Sequence, residues 1–282
     1  MGFVYASLVL LALIGLGLLV TLRANASALR KVESFDLHGP EARDLARDLS
    51  ETFDAEALRW QPGLDSDGVT IHTALMDTVA DQRVRAYRVT SWLEASEISV
   101  DRMVELLDGG FLTEELWHKE DYQGGDCLET LHRDEHRSDW LARYVSAMPP
   151  LRQREFVYLL SRREMPAAHY SKRWHPPGDT IERQVCIGYR SVNRETGHDE
   201  MVRAIQYPSL DRITCYASGK IRWEHIMAFH IAGAMPHWVT NALAQPAMKV
   251  LHHEAVNMRK HVRPASNSVP SVPRPTSAPL QA

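Results

Sequence analysis

The chain has 282 residues, of which 44% are hydrophobic and 24% are charged, a balance typical of a globular protein and not of a disordered or multi-span membrane chain. Its 32 Lys and Arg residues against 36 Asp and Glu residues give a formal net charge of -4, so no basic field favours a nucleic-acid partner. Three scattered cysteines without CxxC spacing argue against a disulfide framework or a structural zinc site. We expect no metal ion and no other cofactor.

The first segment of the chain is strongly apolar. Residues 2–22 carry no charge, and as a helix they extend about 30 Å, enough to cross the hydrocarbon core of a bilayer. We interpret residues 1–23 as a transmembrane anchor. A cleaved secretory signal peptide is the alternative, because residues 24–26 form an A-x-A site, but no basic residue precedes the apolar run.

Positive charges follow the apolar segment. Arg23, Arg30 and Lys31 lie just after it, so the positive-inside rule predicts a single-pass membrane protein whose globular part is cytosolic. Residues 24–40 are expected to act as a linker. Residues 263–282 are rich in Pro and Ser and nearly lack large apolar side chains, which predicts a disordered tail and makes a reader of Pro-rich motifs a candidate partner.

Between linker and tail, helical and extended patterns alternate. Apolar residues at helical spacing predict an amphipathic helix over 41–58, and Ser99 is expected to cap a short helix over 100–107 that ends before Gly109 and Gly110. Segments in which β-branched and aromatic residues alternate with polar ones predict strands joined by short polar turns, hence an antiparallel sheet. These segments are 68–76, 83–93, 127–132, 140–147, 155–162, 182–189, 201–207, 212–218 and 222–231.

The last predicted element is a long helix. Pro236 fits its first turn, and an apolar stripe that includes Ala247, Val250 and Leu251 continues to about Val262. A sheet of this size must bury one face, and a helix that crosses it obliquely can leave a cavity between them. We therefore predict an α+β fold in which the terminal helix lies across a long, curved antiparallel sheet.

Three stretches resemble a known family. Residues 140–163 (WLARYVSAMPPLRQREFVYLLSRR) resemble the strand, Pro-containing connection, Arg-acidic pair and following strand of START domains, the StAR-related lipid-transfer family. Trp117 is similar to the tryptophan of that family's early helical segment, and residues 229–238 (FHIAGAMPHW) resemble its closing strand, Gly-x-x-Pro turn and helix start. The order of elements agrees over 41–262, which we interpret as a START-like lipid-binding domain.

This resemblance implies a helix-grip fold around an internal apolar tunnel that holds one lipid or sterol. Because each buried CH₂ group gains about 0.8 kcal/mol, a lipid crosses water very slowly unaided, and a carrier with an apolar cavity lowers that barrier without a catalytic group. Many START domains carry an arginine where this chain has Leu160, so the resemblance does not identify the ligand.

The candidate wall residues are apolar or aromatic side chains on the expected strands and final helix. They are Tyr144, Phe156, Tyr158, Leu160, Val185, Ile187, Val239 and Leu243. The alternative is that half of them are packed core away from any ligand, since strand parity cannot be fixed from the sequence.

A long loop, residues 166–180, falls where the family has a loop over the tunnel mouth. It brings together Tyr170, Lys172, Arg173 and Trp174, and aromatic side chains beside basic ones suit a membrane interface. We predict that this loop docks on an anionic bilayer surface and opens the tunnel. The alternative is a surface loop whose Trp174 folds back on the sheet.

Motifs for catalysis are weak, and we predict no catalytic residue. GxSxG, P-loop and GxGxxG motifs are absent. The favoured function is a membrane-tethered protein that carries or senses one lipid or sterol. The alternative is a cyclase-like or hydrolase-like enzyme of the helix-grip superfamily, which requires an inward-facing pair of a carboxylate and a histidine such as His225 or His230. A third possibility is an interaction adaptor whose cavity is filled.

Overall fold

The structure is a computed structural model. It describes residues 37–55, 58–77, 83–109, 122–146, 153–171, 173–192, 194, 201–206, 208–230 and 244–262. The predicted anchor, its orientation and the Pro-rich tail lie outside these residues, as do Trp117, Val239 and Leu243. None of the helices that it describes is both long enough and apolar enough to cross a membrane.

The described chain contains short helices at its start, strands through its middle and a long helix near its end. The helices are α1 (Pro40–Arg43), α2 (Leu45–Asp54), α3 (Val100–Leu107) and α4 (Ala244–His261), with a 3₁₀ turn at Ala167–His169. The strands are β1 (Gln61–Ser66), β2 (Val69–Asp77), β3 (Arg83–Glu94), β4 (Tyr122–Arg133), β5 (Arg137–Ser146), β6 (Arg154–Glu164), β7 (Ile181–Ser191), β8 (Val202–Arg203), β9 (Ile205–Gln206), β10 (Ser209–Tyr216), β11 (Lys220–Met227) and β12 (Phe229–His230).

The strands form one large, curved antiparallel sheet. Its order is β1-β2-β3-β11-β10-β7-β6-β5-β4, and β8 adds a short parallel pairing to the start of β6. The first three strands join the last ones through β3 and β11, where Glu94 pairs with Lys220 and Tyr87 with Met227. A separate two-stranded sheet pairs β9 with β12. The predicted α+β fold, with a curved antiparallel sheet and a long C-terminal helix, is confirmed.

Strand β1 was missed by the sequence prediction. Pro62 and Gly63 interrupt its pattern, and most of its side chains are exposed at the edge of the sheet, so it shows no hydrophobic alternation. The turn that joins it to β2 did carry a signal. Asp67 and Gly68 have φ values of 53° and 71°, the left-handed conformations of a two-residue hairpin turn, for which Asp-Gly is a favoured sequence.

Two further predictions need correction. The single strand predicted over 201–207 is two short strands, because the chain leaves β6 at Ala204 and pairs next with β12. Val250 was placed in the apolar stripe of the last helix, but it is 49% exposed. The buried positions of α4 recur every three or four residues and are Met248, Leu251, Ala255 and Met258. Val250 lies outside this buried stripe.

The central strands of the sheet bury both of their faces, not one. The α4 face is the side on which sheet residues cluster with α3 and α4; the α2 face is the side on which they cluster with α1 and α2. On neighbouring positions of β6, Leu160 points to the α4 face and Leu159 to the α2 face. All but the last two residues of β6 are buried, which is why alternation in the sequence could not reveal its faces.

Helices α3 and α4 are tied to the sheet and to each other. The hydroxyl of Ser99 accepts a hydrogen bond from the backbone N–H of Arg102 at 3.2 Å, which confirms the predicted cap. The backbone N–H of Ser99 also donates to the carbonyl of Val262 at 2.7 Å, just after the end of α4. Arg259 on α4 donates to the carbonyl of Trp92 in β3 at 2.7 Å. These bonds fix the C-terminal half of the described helix against β3 and the start of α3.

Helix α2 lies directly on β7. A Cβ atom at Gly188 would lie 3.1 Å from the Cα of Ala46, so the helix approaches the strand as closely as a glycine permits. At its end, both carboxylate oxygens of Asp54 accept hydrogen bonds from Arg212, at 2.9 and 3.1 Å. The α2 face is therefore closed by direct contact between helix and sheet.

A buried ion cluster lies on the α2 face beside this contact. The carboxylate of Glu224 accepts hydrogen bonds from Arg88, and its second oxygen lies 3.0 Å from Nη2 of Arg222 and 3.7 Å from Nε of Arg212. Burial by itself raises the pKa of Glu224, but the three guanidinium charges together lower it below its usual value. Glu224 is thus held as a carboxylate by arginines from three strands.

Candidate functional site

Six of the eight candidate wall residues are described, and all six lie on the α4 face. They are Tyr144, Phe156, Tyr158, Leu160, Val185 and Ile187. They come from β5, β6 and β7, which are neighbours in the sheet, and five of them are buried while Tyr144 is half-buried. The strand alternation that the sequence left open therefore brings these residues to one surface. Whether they contact a ligand stays a prediction.

Aromatic rings make up much of this surface. The rings of Tyr144 and Phe156 are 5.9 Å apart between centroids, and those of Tyr158 and Tyr189 are 6.0 Å apart in an edge-on arrangement. Tyr189 lies on β7 beside Leu160, and the prediction did not include it. Its alternation with Val185 and Ile187 along the strand was a signal that could have identified it.

A polar cluster interrupts the apolar surface at β10 and β11. Asp211 is buried on the α4 face, and its Oδ1 accepts hydrogen bonds from Nε1 of Trp223 at 2.7 Å and from Nδ1 of His225 at 2.8 Å. Its Oδ2 accepts the hydroxyl hydrogen of Tyr189 at 2.8 Å. Three donors thus satisfy one buried carboxylate, which offsets much of the cost of removing its charge from water.

Tyr189 retains its proton in this cluster. Burial raises its pKa well above the usual value, and the nearby negative charge of Asp211 raises it further. The phenol therefore remains a hydrogen-bond donor to Asp211 over the physiological pH range. Its oxygen also lies 3.4 Å from the carbonyl of Leu107, at the end of α3.

His225 leaves one ring nitrogen available. Because the Asp211 carboxylate can only accept, Nδ1 of His225 must carry the hydrogen that joins them. In the neutral ring, Nε2 is then an acceptor, and it has no hydrogen-bond partner among the described residues. The side chain is 22% exposed on the face where the candidate wall residues lie. Within the part of the chain that the structure describes, the cluster thus presents Nε2 of His225 as an open hydrogen-bonding atom beside an apolar surface.

A second polar group lies at the end of α3 on the same face. Asp108 accepts hydrogen bonds from Ser138, from Nε1 of Trp140 at 3.1 Å and from Nε of Arg162 at 3.0 Å. Burial raises the pKa of Asp108, and the contacts with Ser138 and Arg162 offset this only in part. Arg162 also donates to the carbonyls of residues in the β4–β5 turn, each at 2.9 Å.

A buried arginine lies near the position at which the family resemblance implies a headgroup-binding arginine and this sequence has Leu160 instead. Two residues further along the strand, Arg162 points to the same face and is buried. However, its guanidinium is already neutralised by Asp108 and shared with backbone carbonyls, so it is not free to bind a charged headgroup.

The loop over 166–180 is attached to the α2 face. Arg173 donates to the backbone carbonyls of Asp54 and of Ala55, the latter at 2.8 Å, and the carbonyls of Arg173 and Trp174 accept hydrogen bonds from Arg222. These anchors lie on the side of the sheet opposite the candidate wall residues. Arg173 therefore fastens the loop to the end of α2.

The two predicted docking aromatics differ in exposure. Trp174 is 51% exposed, and the guanidinium of Arg88 lies 4.6 Å from its ring centroid. Tyr170 is half-buried against the core of the α2 face and donates to the carbonyl of Glu182 at 3.1 Å. Lys172 lies outside the described residues. Membrane docking by this loop stays a prediction.

No group of three or more possible metal ligands occurs among the residues that the structure describes. The predicted enzyme alternative named His225 and His230 as candidates for an inward-facing pair with a carboxylate. His225 does pair with Asp211 on the α4 face. The side chain of His230 is outside what the structure describes.

The fold is shared with solved START domains. The lipid transfer and protein localization domain of human StarD13 (DLC2) has a TM-score of 0.50 and 20% sequence identity, over 80% of this chain and 98% of that one. Human STARD10 has a TM-score of 0.56 and 17% identity, over 82% and 83%. Human StAR-related lipid transfer protein 5 has a TM-score of 0.52 and 14% identity, over 78% and 97%. No protein-family model and no curated protein matches the sequence.

Proposed function

We propose that the chain binds one lipid or sterol between the α4 face of the sheet and the C-terminal helix, and carries or senses that ligand at a membrane. The observation that carries the proposal is the shared orientation of the described candidate wall residues, which form one apolar and aromatic surface across three neighbouring strands. The lipid-transfer names of two solved structures with this fold support it.

The arrangement of the two faces supports the choice of side. On the α2 face, Gly188 and Ala46 are in such close contact that a ligand has no space between helix and sheet. On the α4 face, α3 and α4 cover the sheet with side chains that include Met103, Met248 and Met258, and flexible methionines can rearrange around a ligand more easily than touching backbones can.

Membrane attachment is part of the proposal. The uncharged run over 2–22 is long enough to span a bilayer, and the positive charges that follow it favour a cytosolic domain. The exposed ring of Trp174 beside Arg88 supports docking of the loop on a bilayer surface. An anchored carrier benefits from a high effective concentration at its own membrane.

Lipid recovery from matched variants tests the binding proposal. The full chain, isolated from expressing cells in mild detergent, would be extracted and its lipids quantified by mass spectrometry. Val185→Phe adds bulk on the α4 face, and Val157→Phe adds the same bulk on the α2 face. Each overpacked variant should lose about 1–3 kcal/mol of stability. Only Val185→Phe should lose a lipid class that the wild type retains.

Lipids that co-purify with the predicted membrane anchor do not bias this comparison, because all three proteins carry the same anchor. Equal lipid recovery from wild type and Val185→Phe would reject a ligand on the α4 face. Loss of the same lipid from Val157→Phe, with Val185→Phe unaffected, would place the ligand on the other side.

Catalysis on an apolar substrate is the second candidate, favoured by the His225–Asp211 pair on the α4 face. Such a pair can act as an oriented general base. The wild-type chain and His225→Phe would each be incubated with the lipid recovered from the wild type. A product that accumulates only with the wild type would support enzymatic activity. An unchanged lipid mass after prolonged incubation would reject it.

A further inference from the structure

We infer that the cluster of Tyr189, Asp211, Trp223 and His225 is a subsite for a lipid whose polar group is an uncharged hydroxyl, which donates its hydrogen to Nε2 of His225. This inference rests on the proposed function and adds a ligand class and a recognition residue to it. The four side chains belong to three neighbouring strands and meet on the α4 face.

The hydrogen-bond network fixes a ring hydrogen on Nδ1 of His225, so the neutral ring offers Nε2 as an acceptor. Asp211 is directly opposite His225 across β10 and β11, and Trp223 and Tyr189 complete the bonds of its carboxylate. Because both oxygens of Asp211 already accept hydrogen bonds within the sheet, we assign Asp211 the role of orienting the imidazole through Nδ1. A neutral ring held through Nδ1 presents the lone pair of Nε2, which accepts a hydrogen bond from a hydroxyl group.

The local charges disfavour a phosphate headgroup. The carboxylate of Asp211 lies in the cluster itself, and it would repel a phosphate oxygen bound at His225. Arg162 is also buried on the α4 face, but its guanidinium is paired with Asp108 and adds no net positive charge. A hydroxyl group requires no countercharge, because one hydrogen bond to Nε2 satisfies its donor.

The surroundings of the cluster match a ligand that is otherwise apolar. Trp223 and Tyr189 are themselves part of the apolar core of the α4 face, and Ile187 lies beside Asp211 in the sheet. A hydroxyl at His225 would thus leave the rest of the lipid against aliphatic and aromatic side chains. Sterols and diacylglycerols share this chemistry, and the experiment separates them.

Photo-crosslinking to the full chain in membranes of expressing cells tests this subsite. Four clickable diazirine probes are compared: a sterol with a free 3-hydroxyl, its 3-O-methyl ether, a diacylglycerol and a phosphatidylcholine. Losing a hydrogen bond to a buried acceptor costs enough that we expect at least about tenfold more labelling by the free sterol or the diacylglycerol than by the ether or the phospholipid.

Two variants assign the preference to the cluster. His225→Phe removes the acceptor and should bring hydroxyl and ether labelling to within about twofold, because neither probe then has a partner. Tyr216→Phe is the matched control, because it removes a buried phenol hydroxyl on the α2 face that has no hydrogen-bond partner among the described residues. It should preserve the wild-type ratio. A ratio of probes within one protein is insensitive to the amount of that protein.

The outcomes separate the inference from the function on which it rests. No labelling by any probe would overturn both. Equal labelling of the wild type by sterol and ether, strongest labelling by phosphatidylcholine, or an unchanged ratio in His225→Phe would overturn the subsite while leaving lipid binding in place. If His225→Phe fails to fold, the wild-type comparison of sterol with its ether still decides the question.

Discussion

The carboxylate of Glu224 is the central countercharge of the buried arginines on the α2 face. Its removal measures how much this ion cluster contributes to the free energy of unfolding. Glu224→Gln preserves the shape of the side chain but leaves the guanidiniums of Arg88, Arg212 and Arg222 without it. Breaking a buried ion pair by removing one partner costs about 3–5 kcal/mol. Because Asp54 still pairs with Arg212 at 2.9 Å, we expect a loss near the lower limit, about 3 kcal/mol.

Thermal and urea unfolding of residues 37–262, followed by near-UV circular dichroism, would measure this loss. For a domain of this size, about 3 kcal/mol corresponds to a decrease in Tm of roughly 6–12 °C. Glu182→Gln is the control, since Glu182 is exposed, and it should change stability by no more than about 0.5 kcal/mol. A loss below about 1 kcal/mol in Glu224→Gln would refute the view that the cluster holds this face together.

The pH dependence has a defined sign. The pKa of Glu224 in the folded protein is lowered, because the attraction of three arginines outweighs the effect of burial. Its contribution to stability is therefore complete above the pKa of an unfolded glutamate, about 4.3, and is lost as the pH falls through the lower folded value. The stability difference between wild type and Glu224→Gln should be constant from pH 7 to pH 5 and shrink below about pH 4.

Three further predictions concern the α2 face and the membrane. Gly188→Ala should lower the free energy of unfolding by about 1–3 kcal/mol, because the added methyl group would meet the backbone of Ala46, and it should leave lipid recovery unchanged. A neutral effect in urea unfolding would contradict the observed contact. Replacing both Trp174 and Lys172 with Ala in residues 37–262 should reduce co-sedimentation with anionic vesicles severalfold, and binding equal to that of wild type would reject docking. In microsomes containing the full chain with an N-terminal tag, added protease should digest the globular part and leave the tag protected. A protected globular part would indicate the opposite orientation, and a lost tag would indicate a cleaved signal peptide.

Much of the fold could be predicted because the strands of this sheet have clear local patterns. The cap at Ser99, the helix after it and most strands agree with the structure to within a few residues. The faces could not be predicted in the same way. In β6, both Leu159 and Leu160 are fully buried, so no polar side marks which of them points to α4. Only the positions of the helices on the two sides decide that question.

The polar parts of the structure were the least predictable. Arg88 and Glu224 are 136 positions apart in sequence, and charged residues in a strand ordinarily predict a solvated face. They are buried here because α2 and the loop over 166–180 cover that face, where Asp54 pairs with Arg212 and two loop carbonyls accept hydrogen bonds from Arg222. His225 was identified as a candidate from its residue type, but its partner Asp211 was not, because the pairing depends on the register of β10 and β11.

The contrast between the two polar clusters supports the proposal that a ligand binds on the α4 face. On the α2 face, Glu224 is surrounded by arginines that also bind Asp54 and the carbonyl of Trp174, so the cluster fastens helix, loop and sheet to one another. On the α4 face, the bonds of Asp211 stay within the sheet and hold no helix in place. The Tyr189 hydroxyl adds a 3.4 Å hydrogen bond to the carbonyl of Leu107 in α3, and among the described residues Nε2 of His225 has no hydrogen-bond partner, so this network ties the elements together less than the Glu224 cluster does. Its arrangement is instead that of an oriented acceptor, which a bound hydroxyl would complete.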